Sequence, residues 1–471
     1  MRINMKSIIY MVRSMKSLSL AIIGLLVLNS CVSKEKNDST KNSEEAQVTT
    51  KYAMSIVFRE TPYSDIKGAN YVTKSEANNV KHFEFDYDEQ GRLIESRYVL
   101  NDELITFNDR FVRAPKIKIS YQDSLEIRTF YNEYGHRTLV SGDVYETRIT
   151  LNDKGERKSL TFYDLNGKPI ENDFGIASYK WEIAPNGDII ESRYNLKEEL
   201  VRNRPEFQYM ITRFSFDEND MLTEMTNLGI DGKQPTPDDS GVITTEIKYD
   251  DKGRFIEWAN FDMDGNPIKG MTNLAKIIYK PSAYFSEEVA IFIDENNNPQ
   301  NSNWGVHKII YQFDAYGNQL GRVLKDTLDQ PTNSRSGLGI LKSTYTSDGK
   351  HLVSSNYFDK DEKPIGFGEN QVHELRVEFD DQNRPVRSSF YDLNGEIANG
   401  WSGYATEELH FDENGRLTVR QYLDSKGNLV NNQDFDIARF TYQYKNNIEL
   451  QSVKTFDAEG NEIKPQWDPD H

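Results

Sequence analysis

The chain has 471 residues, of which 37% are hydrophobic and 12% are aromatic, and its net charge is −19. A surface with this excess of acidic groups repels a phosphate backbone, so the composition argues against a nucleic-acid partner. The 26 Tyr, 24 Phe and 29 Gly residues favour short strands separated by turns over long helices.

The first thirty residues have the layout of a secretory signal peptide. Four basic residues precede an apolar core from Leu18 to Leu28, which at about eleven residues is too short to span a bilayer. The core is followed by Asn29, Ser30 and Cys31, and Cys31 is the single cysteine of the chain. Leu28, Ser30 and Cys31 resemble the end of the lipobox of bacterial lipoproteins, in which a small residue precedes the cysteine that is acylated.

This resemblance implies that residues 1–30 are a lipoprotein signal peptide and that Cys31 carries the lipid. More than one acyl chain holds a protein stably on a membrane. Residues 31–51 are almost entirely polar, which predicts a disordered tether between the lipid and the folded body. In enterobacterial lipoproteins an Asp after the cysteine signals retention in the inner membrane. Because Val32 occupies that position, we expect the outer membrane, with the chain facing the periplasm or the cell surface.

Beyond residue 51 the sequence is periodic. The recurring phrase is an aromatic residue, an acidic residue, two variable positions and Gly or Asn, as in YDEQG at 87–91 and FDENG at 411–415. These first turns recur every 31 to 34 residues and give twelve repeats over 81–467, with a degenerate capping repeat expected over 52–80. A second turn, such as that at Gly167, usually follows 12 residues later. The first turns are centred near Gly91, Asp123, Gly155, Gly187, Asp220, Gly253, Phe285, Gly317, Gly349, Asn383, Gly415 and Asn446.

Within each repeat, apolar residues alternate with polar ones, as in Tyr179, Trp181 and Ile183, which is the pattern of a half-buried strand. Each repeat should therefore be a hairpin, a second turn, a short extended arm such as 168–170, and a polar loop. One hairpin is marginal in water, but stacked hairpins bury a shared aromatic face. We predict an all-β fold, an elongated or superhelical array of about twelve hairpin repeats of about 32 residues. A closed β-propeller is the structural alternative.

The wording aromatic-Asp-x-x-Gly-Arg-Leu at Tyr87–Leu93 and Phe411–Leu417 resembles the YD repeats of bacterial RHS-type surface and toxin proteins. It is less closely similar to MORN-like repeats. The unit in this chain is longer than in the YD family, and its two turns lie further apart. The resemblance implies a β-repeat scaffold on or outside the cell surface, and it does not imply an enzymatic activity.

The sequence contains no recognisable catalytic or cofactor-binding pattern. The segment GWSG at 400–403 lacks the spacing of a nucleophile motif, and nothing matches a phosphate loop or a dinucleotide fingerprint. The turns at 164–167 and 262–266 place oxygen atoms as calcium loops do, but they lack the further carboxylates of an EF-hand, so an Asx turn is the simpler interpretation. We expect no cofactor, metal site or catalytic residue, and lipidation of Cys31 is the one site we assign. No pair of histidines has helical ligand spacing; they are His82, His136, His307, His351, His373, His410 and His471.

Three classes of function fit these observations. The favoured one is a membrane-anchored, non-catalytic lipoprotein whose β-repeat surface binds a protein or polysaccharide at the cell envelope. The second is an accessory glycan-binding lipoprotein, which predicts exposed aromatic side chains lined up on one face. The third is a hydrolase with carboxylates from different repeats, which predicts a deep cleft where the periodicity fails, at 99–115 or 270–303. The tryptophans available to a glycan-binding face are Trp181, Trp258, Trp304, Trp401 and Trp467.

Overall fold

The computed structural model describes residues 48–107, 112–204, 207–282 and 287–464. In this part of the chain, 28 strands form one antiparallel sheet, and the one α-helix is a single short turn. The predicted signal peptide and most of the predicted tether lie outside the described residues. None of the described helical segments is long and apolar enough to cross a bilayer.

The strands lie side by side in almost the same order as in the chain. β1 is the exception, because it pairs with β2 on one side and with β3 on the other. β5 is a two-residue strand paired with the end of β4, which also pairs with β6. The first half of the sheet consists of β1 (Thr49–Ile56), β2 (Gly68–Val72), β3 (His82–Tyr87), β4 (Leu93–Leu100), β5 (Glu103–Leu104), β6 (Lys116–Gln122), β7 (Leu125–Tyr131), β8 (Glu146–Leu151), β9 (Arg157–Tyr163), β10 (Ser178–Ile183), β11 (Ile189–Tyr194), β12 (Ile211–Phe216), β13 (Leu222–Leu228) and β14 (Thr244–Tyr249), with helix α1 (Lys74–Ala77) after β2. The second half consists of β15 (Phe255–Phe261), β16 (Lys276–Lys280), β17 (Glu287–Ile293), β18 (Lys308–Phe313), β19 (Gln319–Lys325), β20 (Ile340–Tyr345), β21 (Leu352–Phe358), β22 (Val372–Phe379), β23 (Pro385–Asp392), β24 (Thr406–Phe411), β25 (Leu417–Leu423), β26 (Arg439–Tyr444), β27 (Leu450–Phe456) and β28 (Glu462–Ile463).

Twelve hairpins make up the array, from β3–β4 and β6–β7 through to β26–β27. They are the twelve repeats that the spacing of the first turns predicts, and we number them repeats 1 to 12. The all-β tandem array is thereby confirmed. A propeller is excluded for the described residues, because its blades are separate sheets, whereas these strands belong to one continuous sheet.

The core lies on one face of the sheet, which we call the inner face. In β6, Ile117 and Ile119 are buried, whereas Lys116 and Lys118 point to the opposite, outer face. This alternation follows from the period-two geometry of a strand and recurs from hairpin to hairpin. The inner-face aromatic residues form continuous clusters across neighbouring repeats, so no repeat buries its apolar side chains alone.

The first turn is closed by the aspartate of the repeated phrase. In repeat 11, Oδ1 of Asp412 accepts hydrogen bonds from the backbone N–H groups of Asn414 and Arg416, both at 2.9 Å. Gly415 follows with φ of +74°, a conformation that residues with a Cβ rarely adopt. The strand register shifts next to the turn, between His410 and Phe411, as a three-residue loop ending in a left-handed residue requires.

The arginine and the aromatic residue of the phrase connect one repeat to the next. Nε of Arg416 donates to Asp412 at 2.7 Å, and the guanidinium lies 5.1 Å from the ring centre of Tyr444 in repeat 12. The Tyr444 hydroxyl in turn donates to the backbone carbonyl of Leu417 at 3.1 Å. The same arrangement joins Arg92 and Tyr121 at 4.4 Å. The phrase therefore closes a turn and also fixes the stacking of adjacent hairpins.

In the described part of the chain, repeats 2, 3 and 5 to 11 also have a third turn, which the sequence analysis described only as a polar loop. Asn172 accepts from the N–H of Gly175 through its backbone carbonyl and from the N–H of Ile176 through its side chain. Third turns of neighbouring repeats are bonded to each other, for example Asp173 N–H to the carbonyl of Ser141 at 3.2 Å. The loop is a third regular row of turns because these neighbour contacts order it.

The sheet curls until its late repeats contact its early ones. The backbone N–H of Arg137, in repeat 2, donates to the carbonyl of Ile448, in repeat 12, at 3.0 Å. Lys350 forms an ion pair with Glu103 at 2.6 Å across 247 residues, and Arg137 pairs with Glu449 across 312 residues. Each turn of the coil thus takes about eight to ten repeats of about 32 residues, and it widens towards the C-terminus. Of the two predicted forms, the array is therefore superhelical.

We expect Tyr121→Phe to lower the free energy of unfolding by about 1 kcal/mol, because it removes the hydroxyl that donates to the carbonyl of Leu93 at 3.1 Å. The ring and its contact with Arg92 stay in place. Urea denaturation followed by fluorescence measures the change. Tyr194→Phe, on the outer face, is the control and should change stability by less than about 0.5 kcal/mol. Equal effects in the two variants would contradict the role of the hydroxyl between repeats.

A second prediction concerns pH. His351 is 3% exposed beside the contact between early and late repeats. Burial lowers the pKa of His351 to about 3. The positive charges of Lys81 and Lys350 also lower this pKa, whereas the negative charge of Asp348 raises it. An unfolded histidine takes up a proton near pH 6.5, so the unfolded state binds more protons than the folded state between pH 6.5 and 3. The contribution of the neutral His351 to stability is therefore complete above pH 6.5 and is lost as the pH falls towards 3.

Between pH 7 and pH 5 we expect His351 to account for a loss of about 2 kcal/mol. Urea denaturation of His351→Phe at both pH values should show a loss of stability that is smaller by that amount, because phenylalanine cannot take up a proton. The Phe379 ring lies beside position 351 and can pack against the new ring. An identical pH dependence in the parent and His351→Phe would refute the assignment.

Candidate functional site

The connection between β1 and β2 crosses the inner face of the sheet, and we call residues 57–67 the inner strap. The Phe58 ring lies 4.9 Å from Phe255 in repeat 6, and the Tyr63 ring lies 5.4 Å from Trp181 in repeat 4. Arg157, in repeat 3, donates to the backbone carbonyl of Tyr63. The predicted capping region over 52–80 thus departs from the repeat pattern through this strap. Its first strand begins at Thr49, within the last three residues of the predicted tether.

A fully buried ion pair lies beneath the strap. Glu191 and Arg193 are both fully buried, and their side chains approach to 2.8 Å. Trp181 Nε1 and the Thr61 hydroxyl donate to the other oxygen of Glu191. Arg193 also donates to the carbonyl of Tyr209 at 2.9 Å. A buried charge needs such compensation, and here the partners join the strap to two repeats.

A second buried cluster surrounds Glu126. Its carboxylate lies 2.6 Å from Arg128 and 2.8 Å from Arg157. Burial alone would raise the pKa of Glu126, but the two guanidinium groups outweigh it and lower the pKa to about 2. The carboxylate therefore stays ionised at neutral pH and has no proton to donate.

These two clusters border a small cavity under the strap. Its volume is about 130 Å³, and its wall includes Val112 and Arg113 from the irregular stretch 99–115. Ligand pockets usually have volumes of about 300–1,000 Å³, so this space suits a few water molecules better than a substrate. The other irregular stretch, 270–303, contributes no residue to the wall. The cavity's polar lining consists mainly of Arg59, Glu60, Arg128, Asn172, Asn203 and Arg204.

A much larger open groove lies between the N-terminal strands and the first turns of repeats 5 and 6. We call it the N-terminal groove, and its volume is about 1,220 Å³. β1, β2 and α1 form one wall, with Tyr71 and Asn70 on it, and the opposite wall includes Asn219 and Lys252. Asn70 N–H donates to the carbonyl of Lys252 at 2.7 Å, so the two walls are bonded to each other at one point. Met54, Val57, Met221 and Ile247 supply apolar surface.

The residues singled out in the sequence are dispersed. Cys31, His471 and Trp467 lie outside the described residues, so lipidation of Cys31 stays a prediction. The described histidines lie in different repeats; His307, for example, is buried with Nδ1 2.8 Å from the carbonyl of Phe292. Within the described ranges, no three His, Cys, Asp or Glu side chains are grouped so as to hold a metal ion.

The two turn motifs also have local structural explanations. Oδ1 of Asp262 accepts the N–H groups of Asp264 and Asn266 at 2.9 and 2.8 Å, which is the arrangement of an Asx turn. In the segment 400–403, the Ser402 hydroxyl donates to Asp434 at 2.8 Å and thereby joins two third turns.

Four tryptophans are described, and none forms part of an exposed row. Trp181 is buried, and Trp258, Trp304 and Trp401 are half-buried. The Trp304 ring packs 5.9 Å from Phe292, and the Trp401 ring packs 5.4 Å from Phe390. Their placement follows the aromatic stripe of the inner face and gives no support to a row of tryptophan sugar platforms.

The sequence analysis missed both the strap and the groove. One signal was available for the buried clusters, because Glu126, Arg128, Glu191 and Arg193 occupy inner-face positions where other repeats carry apolar residues. No sequence signal placed Tyr71 opposite repeats 5 and 6, since that contact depends on the curl of the sheet.

No protein-family model matches the chain, and no curated protein sequence matches it. Among solved structures, the chain is similar to TcdB2-TccC3 at 11% identity and a TM-score of 0.26, over 88% of this chain and 26% of that chain. It is also similar to a porin-like protein from Bacteroides uniformis at 12% identity and a TM-score of 0.15, over 66% of this chain and 88% of that chain. The chain thus spans about a quarter of the length of TcdB2-TccC3. Scores this low support no argument about function.

We expect Glu191→Leu to lower the free energy of unfolding by about 3–5 kcal/mol, because Arg193 would remain buried without its counter-charge. Thr61 would lose its acceptor as well, so limited proteolysis should cut the inner strap faster than in the parent. Glu198→Ala removes a carboxylate that pairs with Lys180 on the exposed surface and should cost less than about 1 kcal/mol. Similar costs for the two variants, measured by urea denaturation, would contradict the role of the buried pair.

Proposed function

We propose that this protein is a lipid-anchored, non-catalytic binding protein of the bacterial cell envelope, which presents its β-repeat sheet to a protein or polysaccharide. The outer face of the sheet is the observation that carries the proposal. It is polar and periodic, and it continues over twelve hairpins. Repeat arrays of this kind offer extended surfaces to large partners.

The charges of the outer face are arranged in a recurring row. A lysine at or near the start of the first strand pairs with an acidic residue of the second turn, as in Lys180–Glu198 at 3.0 Å and Lys342–Glu362 at 2.6 Å. Exposed pairs of this type contribute about 1 kcal/mol or less to stability, so a polar partner can replace either member at small cost. The row therefore supports recognition of a polar macromolecule.

The buried acidic residues support the non-catalytic part of the proposal. Glu191 and Glu126 are both engaged by arginine, and each pair connects structural elements. The low pKa of Glu126 keeps it ionised and removes it as a general acid. The cavity beside them is too small for a polymeric substrate.

The membrane anchor rests on the lipobox-like end of the N-terminal segment. Thr49, the first residue of β1, pairs with Tyr87 beside the first turn of repeat 1. A tether from Cys31 would therefore reach the sheet at its first-turn edge. The turn arginine contacts the aromatic residue of the following repeat, which gives the YD-like sequence motif a physical role. This role supports a YD-type scaffold for surface display.

We expect Cys31→Ser to release the protein from the membrane, because the serine hydroxyl cannot take the thioether-linked lipid. The parent should partition into the detergent phase of Triton X-114 and sediment with membranes, whereas the variant should stay in the aqueous phase. Ser33→Ala is the control and should behave as the parent. A Cys31→Ser variant that still sediments with membranes as the parent does would overturn the lipid anchor.

Protease treatment of intact cells, with a lysed control, then locates the array. Loss of the repeat region on intact cells would place it outside, and a partner should be sought among external proteins and glycans. Protection until lysis would place it in the periplasm, where envelope proteins and peptidoglycan are the candidates.

A further inference from the structure

We propose that the N-terminal groove binds a neutral oligosaccharide and that Tyr71 is the platform on which a sugar ring stacks. This inference rests on the proposed envelope-binding function and names the ligand class and the site. It depends on three features of the groove: a fixed exposed aromatic ring, amide groups beside it, and charges of opposite sign that nearly balance.

Tyr71 stands out because the other aromatic side chains of the described ranges are buried or half-buried. Its side chain is 51% exposed, and it is the one aromatic residue among the strongly exposed large hydrophobic side chains of the described ranges. An exposed aromatic ring has an apolar face that suits the C–H face of a pyranose and a hydroxyl that tolerates water. Burying that face against a sugar is favourable without any change in the fold.

The Tyr71 ring is also held in place before any ligand arrives. Its hydroxyl accepts a hydrogen bond from the backbone N–H of Gly68 at 3.1 Å. A Cβ on Gly68 would lie 2.9 Å from Cε1 of Tyr71 and 2.5 Å from the Cβ of Ala53, so only glycine allows the ring to lie this close to the strand. A ring fixed in this way loses little conformational entropy on binding.

Amide side chains lie on both walls of the groove. Asn70, next to Tyr71, is held at φ of +56° by the hydrogen bond from its N–H to the carbonyl of Lys252. Asn219 lies on the opposite wall. Carboxamides both donate and accept hydrogen bonds, as sugar hydroxyls require. A strained backbone that fixes a polar side chain next to a fixed aromatic ring is typical of a binding site.

The charges around the groove favour a neutral ligand. Lys67 pairs with Asp220 at 3.1 Å, Asp250 with Arg254 at 2.6 Å, and Lys248 with Glu257 at 2.8 Å. The groove is lined by three lysines and four acidic side chains, a net charge of −1 (3 − 4), so it has no excess charge that would favour a charged polymer over a neutral sugar. The volume of about 1,220 Å³ accommodates several sugar rings.

The test uses the purified full-length protein in detergent micelles and a panel of neutral oligosaccharides of three to six hexose units, with sulfated and uronic-acid counterparts of the same lengths. We expect binding to at least one neutral member. Tyr71→Ala should weaken that binding about tenfold or more, whereas Tyr71→Phe, which keeps the ring, should stay within about threefold of the parent. Thermal denaturation of each variant verifies that the fold is kept.

A second variant tests the oligosaccharide site without changing Tyr71. Asn70→Gly retains the left-handed backbone and removes only the carboxamide, and it should weaken binding about three- to tenfold. Ile230→Ala, at a residue that is 79% exposed on a second turn away from the groove, is the matched control and should bind as the parent does.

Three outcomes would overturn the proposal: no binding to any neutral member, binding only to charged members, or neutral binding that survives Tyr71→Ala unchanged. Fractionation of the same cells separates this failure from failure of the proposed function. A groove without sugar affinity in a protein that still depends on Cys31 for its membrane location would refute the oligosaccharide site alone.

Discussion

The structure depends on the contacts between each hairpin and the next, and several first turns supply one of these contacts through the repeated phrase. In these turns an aspartate closes the turn, the arginine four positions later bonds to that aspartate, and its guanidinium lies against the aromatic residue of the following hairpin. In repeats 11 and 12 these groups are Asp412, Arg416 and Tyr444, and the Tyr444 hydroxyl returns a hydrogen bond to the preceding repeat. A single hairpin is unstable in water, so this contact adds to the strand pairing and the shared inner-face core that allow twelve hairpins to form one sheet.

The angle between successive hairpins, once fixed, accumulates over the array. Strands twist in one direction, and a long open sheet therefore curls. Here the curl brings Arg137 to Ile448 and Lys350 to Glu103, so the late repeats rest on the early ones. Residues that are remote in sequence become neighbours, and the buried His351 has Lys81 of repeat 1 near it as well as Lys350 of its own repeat.

The curl also creates an enclosed inner face, which the inner strap crosses. Charged residues are costly in such a place unless they are paired, and the strap supplies part of the pairing through Thr61 and the carbonyl of Tyr63. The same N-terminal region then forms one wall of the groove opposite repeats 5 and 6. The proposed anchor segment, the strap and the N-terminal wall of the groove follow one another closely in the chain, so attachment and recognition are proposed to lie close together.

The sequence by itself determined the twelve hairpins, their first turns and most of their second turns, and the inner and outer faces of each strand. These features depend on residues close together in the chain, such as Asp412 and Gly415 within one turn, and on the period of two within a strand. Only the tertiary structure decided the widening coil, the third row of turns, the burial of Glu191 against Arg193 under the strap, and the position of Tyr71 in the groove. The third turns depend on contacts between neighbouring repeats, and the other features depend on contacts between elements that are remote in the chain. A small rotation repeated twelve times sets which of these elements meet, and no local pattern encodes that sum.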